Sequence, residues 1–131
     1  MAYFVVVNEQ GRSWVASRSM REQPMWTEHA NFVNALMYRG VIVLGGPLGS
    51  GHPHRAMLVV DAESEAAVRS LLLEDPWMRA EILRVASVSP WAILVSHDRL
   101  DAALAEVKAL APSGASAGPT SSNPAGPSGS G

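Results

Sequence analysis

The chain contains no cysteine in its 131 residues. This excludes disulfides, thiolate nucleophiles and cysteine-built zinc or iron–sulfur sites. The chain also has little excess charge of either sign, because its formal net charge is −2. Its basic residues are scattered along the sequence, which disfavours nucleic acid and anionic membranes as partners. The longest largely apolar stretch, residues 82–95, is broken by Arg84 and Pro90 and is too short to span a bilayer. A small molecule is therefore the expected partner, and the sequence predicts neither a metal nor a cofactor.

Two regions differ in what they could fold into. Hydrophobic residues make up 47% of the sequence, enough for one ordinary core, which we assign to a domain of residues 1–111. Residues 112–131 consist only of Pro, Ser, Gly, Ala, Thr and Asn, so they lack large apolar groups to offset the entropy of ordering and are predicted to be a flexible tail. The N-terminus has no basic start and predicts a strand, not a signal peptide, which favours a cytoplasmic protein.

Hydrophobic periodicity predicts an alternation of strands and helices. The predicted elements are a strand at 3–7, a helix at 25–37 ending before Gly40, strands at 41–44 and 56–60 joined by a glycine-rich loop, a helix capped by Asp61 or Ser64, a helical turn at 78–82, one bent or two consecutive strands at 85–95 with Pro90 at an edge or bulge, and a last helix capped by Asp98. The all-apolar strand at 41–44 suggests burial on both faces.

This order is the ferredoxin-like split arrangement βαββαβ of the α+β class, here with an extra C-terminal helix. In that arrangement two helices cover one face of the sheet and leave the other bare. An exposed apolar sheet face is an association surface, and a twofold pair is its simplest closed form. The sequence therefore predicts a homodimer that forms an α+β barrel.

His29 lies on the apolar stripe of the first predicted helix, between Trp26 and Phe32. Such a position disfavours the charged ring, so the neutral imidazole could act as a general base. The alternative is a structural histidine whose ring is satisfied by a backbone carbonyl.

Asp75 opens the sequence Asp75-Pro76-Trp77, where the second helix must break. A carboxylate there could bond one nitrogen of His29, fix its tautomer and stabilise the imidazolium formed during proton transfer. The alternative is a turn residue that bonds nearby backbone amides.

The sequence resembles the YCII-related family over roughly residues 1–97, through the order and spacing of short motifs. The motifs are His29, Asp75-Pro76-Trp77, Gly40, Gly46-Pro47-Leu48 and Val88-Ser89-Pro90-Trp91. The resemblance implies a dimeric α+β barrel with His29 and Asp75 as active-site residues. It also implies lyase or isomerase chemistry, such as dehydrochlorination of a hydroxyquinol.

Further residues are candidates for substrate binding. Arg18 or Arg21 could clamp a carboxylate or phenolate, and Gly46 with Ser50 could bring backbone amides to an oxyanion. Trp26, Trp77 and Trp91 could form an aromatic wall for a flat substrate. Each has an alternative: a solvated loop charge for Arg21 and for Arg18, core or interface anchors for the tryptophans, and a plain tight connection for the glycines.

Two remaining motifs are rejected. The glycine-rich segment 45–51 lacks the lysine and spacing of nucleotide-binding loops. The segment His52-Pro53-His54 has no carboxylate at ligand spacing, so these histidines are predicted to be exposed and not to bind a metal.

Two functions remain open. One is a cofactor-independent lyase or isomerase that uses a His29–Asp75 pair for proton transfer on a small aromatic, quinol or lactone substrate. The other is a non-catalytic dimer that binds a small metabolite or assists another protein.

Overall fold

The structure, a computed structural model, describes residues 2–50 and 52–97. Its elements are strand β1 (Ala2–Gln10), a 3₁₀ turn (Met20–Glu22), helix α1 (Trp26–Tyr38), strands β2 (Ile42–Pro47) and β3 (Arg55–Ala62), helices α2 (Glu65–Leu72) and α3 (Pro76–Arg79), and strand β4 (Leu83–Trp91). The predicted C-terminal helix and tail lie outside the described residues. The element order confirms the predicted βαββαβ arrangement.

The four strands form one antiparallel sheet in the order β2-β3-β1-β4, which is the ferredoxin-like order. β1 is central: it pairs Val6 with Leu58 of β3 and with Val88 of β4. Its β-branched and aromatic residues suit a strand flanked on both edges. Successive side chains alternate between faces, so Phe4 and Val6 point to one side and Val5 to the other.

The main core lies between one face of this sheet and the helices. Its buried members are Phe4, Val6, Leu36, Ile42, Val60, Val68, Leu72 and Val88. Leu36 comes from α1, and Val68 and Leu72 from α2, so the two helices cover the same face, as predicted. The opposite face carries Leu44 and Trp91, which are 38% and 44% exposed.

Helix ends follow local sequence signals. α1 ends where Gly40 adopts a left-handed conformation with φ of 76°, which confirms the predicted C′ glycine. Ser64 caps the start of α2: its Oγ accepts a hydrogen bond from the amide of Ala67 at 3.1 Å. Asp61, the other predicted cap, lies within β3.

Two strands differ from their predictions. β1 continues through the polar residues 8–10, because β3 and β4 supply backbone partners on both sides. β2 is not buried on both faces, because it is an edge strand. It extends through Gly45, Gly46 and Pro47, which were predicted as loop; an edge strand accepts a proline because the missing N–H can face away from the sheet.

The last strand has the predicted irregularity, but it spans Leu83–Trp91 and does not reach residue 95. Pro90 lies in β4, at the outer edge of the sheet next to β1. The pairing of β1 with β4 shifts register between Val7 and Asn8, opposite Ser87 and Val85, which marks a bulge. None of the helices in residues 2–50 and 52–97 has the length and apolar character needed to cross a bilayer.

We predict that Gly11→Ala destabilises the fold, because a Cβ there would overlap the carbonyl oxygen of Glu81 and lie 2.9 Å from its carbonyl carbon. The expected loss is roughly 1–3 kcal/mol in the free energy of unfolding, measured with urea. Gly46→Ala is the control, because its Cβ meets nothing within 4 Å, and should change stability by less than about 0.5 kcal/mol. Equal losses in the two variants would contradict the predicted overlap.

Candidate functional site

His29 and Asp75 are 46 residues apart in sequence and in direct contact in the fold. The ring Nδ1 lies 2.8 Å from Oδ2 and 3.0 Å from Oδ1 of the carboxylate. Because an ionised carboxylate only accepts, Nδ1 carries the proton and donates it. The side chains are 14% and 4% exposed, so water screens this contact weakly. The structure thus brings together the two residues that the sequence singled out.

Asp75 is fixed by the start of α3. It is the N-cap residue, Pro76 occupies the first helical position, and Oδ1 accepts a hydrogen bond of 2.9 Å from the amide of Trp77. The turn role and the contact with His29 are therefore both present. One carboxylate therefore caps the start of α3 and orients the imidazole of His29.

Trp77 holds the plane of the imidazole ring. The rings of His29 and Trp77 are stacked, with centroids 3.9 Å apart and planes 5° apart. Trp77 is fully buried, and its Nε1 donates to the carbonyl of Pro24 at 2.7 Å. The imidazole therefore has one edge on a carboxylate and one face on a rigid indole.

A cavity of about 270 Å³ opens beside His29, between α1 and the helix-covered face of the sheet. We call it the main cavity. Its lining includes His29, Phe32 and Val33 from α1 and Asn8, Ala56 and Leu58 from the sheet. Most of these side chains are apolar, so a ligand would bury carbon surface around a small number of polar groups.

The other predicted binding residues divide between two places. Trp26, Trp77 and Gly46 line the main cavity. Ser50 lines a neighbouring cleft of about 250 Å³, which shares Met20, Pro47 and His54 with the main cavity.

Three predicted positions lie away from the main cavity. Arg21 is not among its lining residues; its guanidinium carbon lies 5.6 Å from the ring centroid of Trp26. Arg18 lines the neighbouring cleft instead. Trp91 belongs to β4 and pairs with Tyr3, on the sheet face opposite the helices, so the aromatic wall consists of Trp26 and Trp77.

His54 is the functional candidate that the sequence prediction placed wrongly. It was expected to be exposed but is half-buried, lines both cavities and stacks on Trp14 with centroids 4.5 Å apart. Trp14, which no motif singled out, is buried against Trp77. Extending the two-residue alternation of β3 backward from Leu58 and Ala56 would have placed His54 on the helix-covered face.

Burial lowers the pKa of His54, and the nearby His29 and then His52 add to this effect. The neutral ring is thus the form that the folded protein favours. Within residues 2–50 and 52–97, no three His, Asp or Glu side chains form a group that could hold a metal ion.

No protein-family model matches the chain, and no curated protein matches it. Among solved structures it is similar to 5-chloro-2-hydroxyhydroquinone dehydrochlorinase from Burkholderia phenoliruptrix AC1100, in complex with 2,5-dihydroxybenzoquinone. The identity is 21%, the TM-score is 0.48, and the match covers 71% of this chain and 95% of the other. The function of this chain is therefore inferred from its own residues.

The lowered pKa of His54 predicts a stability that falls in mild acid. The unfolded chain binds a proton near the ordinary histidine pKa of about 6.5, while the folded state resists protonation until lower pH. Its contribution is complete above that pH and is lost as the pH falls toward the folded pKa.

Urea unfolding at pH 7.5 and pH 5.5 should show a smaller loss for His54→Gln than for the wild type. His52→Gln is the matched control, because His52 is exposed in the same segment. A loss of stability in His54→Gln as large as that of the wild type would contradict the assignment.

Proposed function

We propose that the protein is a small cofactor-independent enzyme in which His29 acts as a general base and Asp75 orients it. The observation that carries this proposal is the 2.8 Å contact between Nδ1 and Oδ2 at the wall of an apolar cavity. Because Asp75 engages Nδ1, proton transfer falls to Nε2. The carboxylate would then stabilise the positive charge that the ring acquires.

The reaction begins with removal of a proton from carbon or oxygen of the substrate by Nε2 of His29. The electron pair left behind either expels a leaving group or shifts a double bond. In the first case, which gives a lyase, the imidazolium passes its proton to the departing group or to water. In the second case the imidazolium returns the proton to another atom, which gives an isomerase. Both routes are redox-neutral.

The substrate class follows from the size and lining of the main cavity. A volume of about 270 Å³ is below the usual range for drug-sized ligands, so it suits a single ring with few substituents. Trp26 and Phe32 offer aromatic surface beside His29. Phenols, quinols and small unsaturated lactones combine a flat ring with an acidic proton.

The proposal extends to family and assembly. We propose that the chain belongs to the YCII-related group, on the strength of its ferredoxin-like order and its paired His29 and Asp75. We also propose that the sheet face carrying Leu44 and Trp91 pairs with a second copy of the chain.

A non-catalytic binding module is the second candidate function. The observation that favours it is the satisfaction of His29 and Asp75 by structural contacts alone, namely the stack on Trp77 and the cap of α3. In that case the cavity binds its ligand without turnover.

The test is exchange of carbon-bound substrate hydrogen in D₂O over a panel of hydroquinones, phenols and unsaturated lactones. It is read by mass spectrometry after the hydroxyl groups are back-exchanged in H₂O, because hydroxyl protons exchange with water without a catalyst. Because removal of a catalytic base typically costs about 10²–10⁴-fold, His29→Gln should lower the exchange rate by that factor. Asp75→Asn can keep an oxygen for the amide of Trp77 but no longer offers His29 a charged acceptor, so it should also slow exchange.

His52→Gln is the matched control, because His52 is exposed and lines the neighbouring cleft instead of the main cavity. It should exchange at the wild-type rate. Exchange that is unchanged in His29→Gln would rule out this base. Ligand binding by the wild type without exchange of any panel member would favour the non-catalytic module.

A further inference from the structure

Asn8 is a buried polar residue on the sheet wall of the main cavity. Asn8 is only 4% exposed. Its Oδ1 accepts no hydrogen bond from the residues that the structure describes. It is also among the cavity-lining residues. A buried acceptor without a hydrogen bond lowers the stability of the fold by roughly 1–3 kcal/mol relative to an acceptor that has one.

The position of Asn8 in the sheet makes this cost informative. Along β1, the residues on the helix-covered face are Phe4, Val6 and then Asn8. The neighbours of Asn8 across the sheet are Ala56 and Val85. An apolar side chain would continue this face without penalty, so the packing of the core does not require an amide here.

The backbone next to Asn8 is irregular in a way that fits a functional position. The register between β1 and β4 shifts between Val7 and Asn8. Such bulges occur preferentially beside active sites, where they re-aim a side chain. The extra residue of the bulge, Ala86, lies on β4 opposite the step from Val7 to Asn8, so the irregularity is next to the unpartnered acceptor.

We propose that Asn8 is a specificity residue whose Oδ1 accepts a hydrogen bond from a hydroxyl group of the ligand. His29 projects from α1 and Asn8 from β1, on the two walls of one cavity. The ligand is therefore a small ring with polar groups at two separated positions: one that meets His29, and a hydroxyl that meets Asn8. The Asn8 proposal rests on the proposed function for the reaction at His29. The hydrogen bond between Asn8 and the ligand itself does not require turnover.

The proposal separates two kinds of ligand with nearly the same shape. Hydroquinone and 4-methylphenol both keep one hydroxyl for the His29 side, and they differ by a hydroxyl in place of a methyl group at the other end. A buried amide acceptor discriminates between these groups, because the methyl group leaves Oδ1 without a donor.

The experiment measures the dissociation constants of hydroquinone and 4-methylphenol by calorimetry, with wild type and Asn8→Leu. Leucine has the same branched arrangement of side-chain heavy atoms and no hydrogen-bonding group. The ratio of the two constants should favour hydroquinone in the wild type, and this preference should fall about tenfold in Asn8→Leu. Asn31→Leu is the matched control: Asn31 lies on α1, is exposed and does not line the main cavity, so its replacement should leave the ratio unchanged.

A second measurement does not depend on the folding of the variant. In ¹⁵N-labelled wild-type protein, the side-chain amide signals of Asn8 should move on saturation with hydroquinone and much less with 4-methylphenol. A ratio that is the same in wild type and Asn8→Leu, equal shifts with both ligands, or no binding of hydroquinone would each overturn the proposal.

The two proposals fail in different ways. If His29→Gln retains the preference for hydroquinone while hydrogen exchange is absent in the wild type, the catalytic proposal falls and the Asn8 contact stands. If exchange depends on His29 but the preference does not depend on Asn8, the catalytic proposal stands and the Asn8 contact falls.

Discussion

The site depends on the carboxylate of Asp75, which makes two kinds of contact at once. It accepts a hydrogen bond from the amide of Trp77 and thereby caps the start of α3. It also accepts a hydrogen bond from Nδ1 of His29 on α1. A buried carboxylate is stable only when such donors surround it. The position of the imidazole and the start of the helix are consequently determined by the same group, so neither is set independently of the other.

The second layer of support is aromatic. Trp77 stacks on His29, contacts Trp26 at a centroid distance of 5.6 Å, and meets the edge of Trp14, which in turn stacks on His54. Within the described residues, Trp14 and Trp77 form the smaller of two buried hydrophobic clusters together with Ile82 and Leu83, and Trp26 packs against it. Its rigidity gives the polar groups of the cavity fixed positions, which catalysis and selective binding both require.

Local chemistry accounts for what the sequence could predict. Gly40 and Ser64 act on their own helix ends, so the helix limits followed from neighbouring residues alone. The positions of β2 and His54 depend on which strands pair and in what register, and this information is not local. Asn8 was missed for the same reason: its polarity ended the predicted strand, whereas two flanking strands carry the actual strand past it. The pairing of His29 with Asp75 was anticipated through family resemblance, since spacing alone does not fix a contact across 46 residues.

The fold separates the region that stabilises it from the region that carries polar chemistry. Phe4, Val6 and Val60 form a regular apolar layer under the helices. Beyond them, β4 carries an extra residue opposite the step from Val7 to Asn8 of β1, and α2 gives way to the turn at Asp75. These irregularities border one cavity. Polar groups without local partners are costly in a regular layer, but at such breaks the backbone can direct them toward a ligand. A ligand in the main cavity can therefore supply the hydrogen bond that Oδ1 of Asn8 lacks among the described residues.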